Sequence, residues 1–142
     1  MSLQALFDSF NGKRVLVLGD VMIDAYLHGA VNRMSPEAPV PVVDFQKEEQ
    51  RIGGAGNVAL NLQALGATPI MASVIGQDNA SEQLRNLFEQ AQIDTSALIG
   101  SAERKTTIKT RVLSGSKQLL RIDTEDQHDL TATEANNLKN SL

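Results

Sequence analysis

A short glycine-rich run is the first part of the sequence whose residue types could bind a ligand. It reads Gly53-Gly54-Ala55-Gly56-Asn57 and directly precedes a helical segment. Glycines there let the backbone approach a ligand at the N-terminus of the helix. Asn57 would project from the first helical turn, and an amide that both donates and accepts hydrogen bonds suits a hydroxyl group. The run therefore fits a polyhydroxylated ligand.

Two other interpretations of the glycine run stay open on the residues alone. The pattern Gly54-x-Gly56-x-x-Ala59 matches a dinucleotide-binding fingerprint, with Asp78 as a candidate ribose-binding acid. That fingerprint follows a buried strand, whereas residues 46–51 are polar. The glycines could also serve only to allow close packing.

A cationic segment is the second candidate for chemistry. Residues 104–121 hold six of the 13 basic residues and no acid. They are Arg104, Lys105, Lys109, Arg111, Lys117 and Arg121. Such a segment indicates a local anion site, for example for a phosphate group on a small ligand. The alternative is a pair of solvated strands whose charges prevent aggregation.

The composition describes one ordinary globular unit. The 142 residues are 42% hydrophobic and 21% charged, with no cysteine and a net charge of −4. These values exclude a disordered tail, a coiled coil, a disulfide scaffold and a nucleic-acid-binding surface that covers the whole chain. No apolar run is long enough for a membrane helix. We expect a cytoplasmic protein with neither a membrane nor a nucleic acid as partner.

The elements that must position these residues follow an α/β order. Residues 15–18 form an unbroken apolar run, typical of a strand buried on both faces, and end at Gly19-Asp20. Residues 69–75 predict a second buried strand. Ligands bind at the carboxyl ends of such strands in open α/β sheets.

Four helices are predicted around these strands. They cover residues 3–10, 58–65, 81–91 and 131–142. Val58, Leu62 and Leu65 share one face of the second helix, and Gly66 ends it. We expect Asp78 or Ser81 to cap the third helix and Thr133 to cap the fourth.

Two further segments have an extended, amphipathic character. Prolines exclude a helix from residues 26–45, and residues 106–113 and 118–122 predict a β-hairpin. Lys109 and Arg111 would share one face of the hairpin. The segments 26–45 and 104–122 could pair with each other as a small second sheet.

These motifs together resemble the ribokinase-like (PfkB) carbohydrate kinases. The similarity lies in residues 19–24, Gly-Asp-Val-Met-Ile-Asp, and in residues 53–59, Gly-Gly-Ala-Gly-Asn-Val-Ala. Residues 32–42, 107–112 and 118–123 resemble the branch that phosphorylates heptose 7-phosphate in ADP-heptose synthesis for lipopolysaccharide. The resemblance implies a partial parallel sheet flanked by helices, with a β-sheet lid formed by residues 26–47 and 104–122.

The resemblance also implies a set of substrate-binding residues. Asp24 would accept hydrogen bonds from sugar hydroxyls, and the signature loop would contact the sugar through Gly53, Gly54 and Asn57. Arg33 would lie in the lid. The basic hairpin would complete the lid and suit the 7-phosphate. The expected substrate-binding residues are Asp24, Arg33, Gly53, Gly54, Asn57, Lys109, Arg111 and Arg121.

The family's reaction needs residues that this sequence lacks. Relatives carry the general base and an anion hole in a downstream Gly-x-Gly-Asp loop, and ATP binds mainly in that later half. No Gly-x-Gly-Asp occurs in residues 1–142. We therefore expect residues 1–142 to be the N-terminal part of a kinase domain, with no catalytic residue of its own. The whole enzyme would use ATP and Mg²⁺, and this part would bind neither.

Three functions remain open at this point. The first is the sugar-binding part of a heptose 7-phosphate kinase, and the second is a kinase of the same fold for fructose, ribose or an adenosine-like substrate. The third is a non-catalytic module that assembles through its lid strands. We expect a homodimer through these strands, which is also compatible with the first function.

Overall fold

The computed structural model describes residues 2–142 and contains four helices and seven strands in that range. In chain order the elements are α1 (Leu3–Asp8), β1 (Arg14–Leu18), β2 (Val21–Met34), β3 (Pro41–Gly54), α2 (Ala55–Ala64), β4 (Thr68–Gly76), α3 (Asn79–Gln90), β5 (Asp94–Ser101), β6 (Ile108–Ser114), β7 (Lys117–Thr124) and α4 (Ala132–Asn140). The strands divide into two sheets, and the predicted α/β fold with a small second sheet is confirmed.

The central sheet consists of β1, β4 and β5, all parallel, in the order β1-β4-β5. One of its faces packs on α2 and α3 around a core that includes Met71, Leu84 and Phe88, each fully buried. On the other face, α4 contributes Leu138 over Ala72 and Ala97. The third strand, β5, is not among the two buried strands that the sequence predicts.

The expectation that β1 is buried on both faces is wrong. Val17 is buried, but Leu16 and Leu18 are 49% and 59% exposed. The reason is that β1 is the edge strand and α4 packs only over β4 and β5. One face of β1 therefore has no element packed on it in this chain.

Two helix predictions also need correction. The buried face of α2 carries Gly56 and Ala59, while Val58 is half exposed, because small residues let this helix approach the core closely. Helix α4 is capped by Thr131 rather than Thr133, in a capping box with Glu134. Asp78 caps α3 as predicted.

Across residues 2–142, no helix has both the length and the apolar character to cross a bilayer.

The lid sheet consists of β2, β3, β6 and β7 in the order β3-β2-β6-β7. Strands β2 and β6 run parallel and join two antiparallel hairpins. This pairing confirms that the two extended segments form one second sheet. The polar residues 46–51 belong to β3, so the lid strands reach the glycine run itself.

The register of the lid sheet separates its side chains into two faces. Directly paired residues point to the same side of a sheet. The polar face, as defined here, has ten residues: Asp24, Tyr26, His28, Lys47, Glu49, Arg51, Lys109, Arg111, Arg121 and Asp123. The opposite, apolar face starts in the core at Ile23 and Ala25 and continues outward to Leu120 and Ile122.

Candidate functional site

An ion pair between Asp24 and Arg111 occupies the centre of the polar face. Arg111 Nη1 donates a hydrogen bond to Asp24 Oδ1 at 2.6 Å, and both side chains are about a quarter exposed. The hydrogen bond with Asp24 raises the pKa of Arg111 further, although partial burial opposes it. Oδ2 of Asp24 accepts no hydrogen bond within residues 2–142. A half-buried carboxylate with one oxygen free can accept hydrogen bonds from a ligand's hydroxyl groups.

Gly53 is required by the position of Asp24. A Cβ at residue 53 would overlap the Asp24 carboxylate and would lie 2.9 Å from Cγ of Met22. Gly54 is required by the backbone, with φ of +61° and the carbonyl of Asp20 against its Cα. The Ala55 amide then donates to that carbonyl at 2.8 Å. The two glycines thus bring the strand-to-helix turn directly against Asp24.

Asn57 lies in the first turn of α2, three residues after Gly54, and its side chain is exposed. Both Asp24 and Asn57 therefore adjoin the same pair of glycines. Gly56 has a different role, because a Cβ there would overlap Ile52 and contact the Phe88 ring. The close-packing interpretation holds for Gly56, while Gly53 makes room for Asp24.

The dinucleotide interpretation lacks its structural context. Its fingerprint joins a buried parallel strand to a helix. The strand before Gly54 is β3, an antiparallel edge strand of the lid sheet. The glycine run therefore does not lie in a Rossmann-type unit.

The basic hairpin carries fewer free charges than its sequence indicates. Lys109 Nζ lies 2.8 Å from Glu125 and 3.3 Å from Asp123, and Arg121 Nε donates to Asp123 at 2.9 Å. The hydrogen bond with Glu125 raises the pKa of Lys109, and the same bond lowers that of Glu125. Desolvation would raise the pKa of Asp123, but hydrogen bonds from Lys109 and Arg121 outweigh it and lower that pKa. The acids that follow the basic segment thus neutralise much of it.

Arg104 is not part of the polar face. Its guanidinium donates to both carboxylate oxygens of Glu134, at 2.8 and 3.2 Å, and the two side chains are 11% and 4% exposed. This pair lowers the pKa of Glu134 to about 2. Arg104 therefore attaches the start of the lid's second hairpin to α4 and is not a candidate for binding an anion.

The remaining predicted residue, Arg33, stands apart from the others. It lies near the end of β2, nine residues beyond Asp24, a separation of about 30 Å along a strand. Its side chain is exposed, at the far tip of the lid. Within one molecule the structure does not bring Arg33 to the site.

Four of the ten residues of the polar face were named from the sequence, and Tyr26 and Arg51 are among the six that were not. Arg51 pairs directly with Asp24 across β2 and β3, and its guanidinium carbon lies 5.1 Å from the centre of the Tyr26 ring. Arg111 lies 5.3 Å from the same ring. A signal for Arg51 was present in the sequence, because Lys47, Glu49 and Arg51 stand at every second position before Gly53. Residues at this spacing share one face of a strand.

A cleft of about 360 Å³ adjoins the same junction. Its walls come from the β1–β2 turn, the end of β4, the start of the lid's second hairpin and residues 125–130. Asp20 and Met22, which contact Gly54, line it. Within residues 2–142, no three acidic or histidine side chains are arranged to hold a metal ion.

Comparison with known proteins places this geometry in a family. Residues 13–142 match the pfkB family of carbohydrate kinases. The chain is 51% identical over 119 residues to the bifunctional protein HldE of Caulobacter sp. strain K31, covering 84% of this chain and 24% of that protein. It is 44% identical over 131 residues to the HldE protein of Pelobacter propionicus, covering 92% of this chain and 27% of that protein. The chain thus spans about a quarter of the length of these curated relatives.

Solved structures share the fold. A carbohydrate kinase from Agrobacterium tumefaciens superposes with a TM-score of 0.64 at 23% identity, over 79% of this chain and 35% of that one. A ribokinase from Cryptococcus neoformans in complex with ADP gives a TM-score of 0.55 at 20% identity, over 81% and 34%. The architecture is therefore ribokinase-like. On the extent of the family match, the chain belongs to the pfkB family of carbohydrate kinases.

Proposed function

We propose that residues 1–142 form the N-terminal, sugar-binding part of an ATP-dependent carbohydrate kinase that phosphorylates heptose 7-phosphate at its anomeric hydroxyl. The observation that carries this proposal is the position of the Asp24 carboxylate beside the glycine turn. This carboxylate lies against Gly53, next to the first turn of the helix that bears Asn57. The relatives named HldE support the heptose substrate.

Each residue at this junction has a role in the proposal. Asp24 accepts hydrogen bonds from sugar hydroxyls through its free oxygen, and Asn57 donates to or accepts from another hydroxyl. Gly53 and Gly54 allow the sugar to approach the backbone. Arg111 orients Asp24 through its hydrogen bond to Oδ1. The polar face carries five basic residues against three acids, and this positive balance favours an anionic sugar.

The phosphoryl-transfer step lies outside this chain in the proposal. That step needs a group to take the hydroxyl proton and donors for the developing charge. ATP and Mg²⁺ supply the phosphoryl group and neutralise its charge when bound to the whole enzyme. Residues 1–142 hold no Gly-x-Gly-Asp. An ATP-turnover assay with heptose 7-phosphate should show no activity, and a rate near that of an intact kinase would refute this division.

A ligand screen tests the substrate class. The thermal unfolding midpoint of the chain would be measured with heptose 7-phosphate, the plain heptose, fructose, ribose and adenosine. Because a ligand that binds only the folded state raises the midpoint, we expect the largest shift with heptose 7-phosphate. A larger shift with adenosine or plain ribose would assign the chain to another substrate.

The apolar face of the lid sheet supports a second, compatible function. Phe45, Leu120 and Ile122 are 63%, 54% and 49% exposed. By the register of the strands they lie on the side opposite to Asp24. Exposed apolar side chains on one sheet face mark an interaction surface. We assign this face to a homodimer in which two lids pack together and leave both polar faces free.

A further inference from the structure

The charged side chains on and beside the polar face fall into two groups. The groups differ in the number of positive charges relative to negative ones. On the β6–β7 side, Lys109 and Arg121 are matched by Asp123 and Glu125, with every cation in contact with a carboxylate. Two positive and two negative charges leave no surplus there. An anionic ligand gains little from cations whose charge is already neutralised at 2.8–3.3 Å.

Around Asp24 and Glu49 the balance is positive, because Arg111 of β6 belongs to this group through its ion pair with Asp24. Arg111 is paired with Asp24, while Arg51 and Lys47 share the single carboxylate of Glu49, at 3.0 and 2.6 Å. Three cations thus face two carboxylates. Hydrogen bonds from Lys47 and then from Arg51 lower the pKa of Glu49, so that carboxylate is ionised at neutral pH and neutralises only one of its partners. The surplus positive charge lies next to Asp24.

Arg51 is the cation of this group that combines an exposed guanidinium with a fixed position. Only its Nη2 donates a hydrogen bond within residues 2–142, and the side chain is 66% exposed. The Tyr26 ring lies 5.1 Å from its guanidinium carbon, which restrains the side chain over the polar face by a cation–π contact. Arg111 is committed to Asp24 at 2.6 Å. Arg51 therefore keeps the N–H groups of Nε and Nη1 for hydrogen bonds to an anion.

The position of Arg51 relative to Asp24 sets what the ligand must look like. The two residues are direct partners across β2 and β3, so their Cβ atoms are about 5 Å apart. A ligand there would present hydroxyl groups to Asp24 and an anionic group to Arg51. Glu49 repels any carboxylate or phosphate that approaches from the side of Lys47. The approach is therefore from the Gly53 side of Arg51, away from Glu49, which pairs with Tyr26.

We infer that Arg51, supported by the Tyr26 ring, binds the phosphate group of a phosphorylated sugar, and that Lys109, Arg111 and Arg121 do not contact it directly. This inference rests on the proposed sugar-binding function. It identifies the residue that distinguishes a phosphorylated sugar from a plain one. It also assigns Arg111 a positioning role, that of orienting Asp24.

The test compares Arg51→Ala with two exposed cations of the same face. Lys47→Ala removes the other partner of Glu49, and Arg121→Ala removes the rival cation on β7. Affinities for heptose 7-phosphate and for the unphosphorylated heptose are measured by calorimetry for the full chain. A charge-assisted hydrogen bond contributes a factor of about 10 to 100. We expect Arg51→Ala to lose that factor for the phosphorylated sugar and to stay within about twofold for the plain heptose, with both controls close to wild type.

The outcomes separate this inference from the proposed function. The role of Arg51 would be overturned if Arg51→Ala lost the same affinity for both sugars or lost none. It would also be overturned if Arg121→Ala, and not Arg51→Ala, lost affinity for the phosphorylated sugar. If the wild-type chain binds neither sugar, the proposed function fails. A titration with inorganic phosphate then tests whether Arg51 still forms an anion site. A saturable shift of the Arg51 Nε–H resonance in an NMR titration with phosphate sustains the anion site. A shift at Arg121 alone, or none, refutes it.

Discussion

Replacing Glu134 with glutamine should destabilise the protein by removing one charge from a nearly buried ion pair. Glu134 accepts from Arg104 Nε at 2.8 Å and from Nη2 at 3.2 Å, and its side chain is only 4% exposed. Glutamine can still serve as the third residue of the capping box at Thr131. The substitution therefore leaves the helix cap in place and leaves the Arg104 charge without its carboxylate.

The size of the effect follows from the pKa of Glu134. That pKa falls from 4.5 to about 2 in the folded protein, which corresponds to at most about 3 kcal/mol of stabilisation at neutral pH. Solvent at the edge of the pair screens part of this, and we expect a loss of about 2 kcal/mol. Because the folded pKa is the lower one, the stabilisation is complete above pH 4.5. It is lost as the pH falls through about 2.

Urea unfolding of wild type and Glu134→Gln across this pH range is the assay. The difference in the free energy of unfolding should be about 2 kcal/mol at pH 7 and should shrink steadily in acid. Glu82→Gln is the matched control, since Glu82 is an exposed acid in the first turn of α3. If the two variants are equally stable, or if the difference does not depend on pH, the reasoning about the Arg104 pair is refuted.

Three further substitutions test other parts of the molecule. Gly53→Ala should weaken sugar binding at least tenfold in a calorimetric titration, because its Cβ would displace the Asp24 carboxylate. Asp78→Ala should lower the free energy of urea unfolding by about 2 kcal/mol, since it removes the α3 cap and the partner of a buried backbone N–H. Ile122→Lys should dissociate the lid dimer in analytical ultracentrifugation, whereas Leu3→Lys, on exposed α1, should not.

These predictions have separate controls and contrary outcomes. Gly100→Ala is the control for Gly53, because the nearest neighbour of its Cβ is the flexible Gln77 side chain. Unchanged sugar affinity in Gly53→Ala would remove the stated reason for that glycine. Asp78→Asn should recover part of the stability as a cap, and a fully stable Asp78→Ala would contradict the role of the buried contact with Thr106. A wild-type chain that sediments as a monomer would contradict the dimer.

Much of the fold could be predicted because local patterns decided it. The apolar runs of β1 and β4 and the alternation of Lys109 and Arg111 depend on neighbours in sequence, and the structure has these strands. Burial of β1 could not be predicted, because it depends on which strand lies at the sheet edge. The buried face of α2 was misjudged because a close helix contact selects Gly56 and Ala59 over the larger Val58.

Residues of the candidate site that belong to a sequence motif could be predicted. Residues that reach it only through contacts between distant parts of the chain could not. The glycine run and Asp24 were found from the sequence, and the structure places them in contact. The basic segment looked like six free cations, yet Arg104 pairs with Glu134, 30 residues further along the chain. Arg51 was overlooked because its position opposite Asp24 arises only from the register of β2 and β3.

The central claim is that Asp24, at the Gly53-Gly54 turn, binds the hydroxyl groups of a sugar. A calorimetric titration of the chain with heptose 7-phosphate tests it most directly, with Asp24→Asn as the variant. Asp44→Asn is the control, because Asp44 is an exposed acid further along the same lid sheet, hydrogen-bonded to Asn32. The account predicts one site per chain in wild type and Asp44→Asn, and a loss of about 10- to 100-fold in Asp24→Asn. Equal affinity in all three proteins would contradict it.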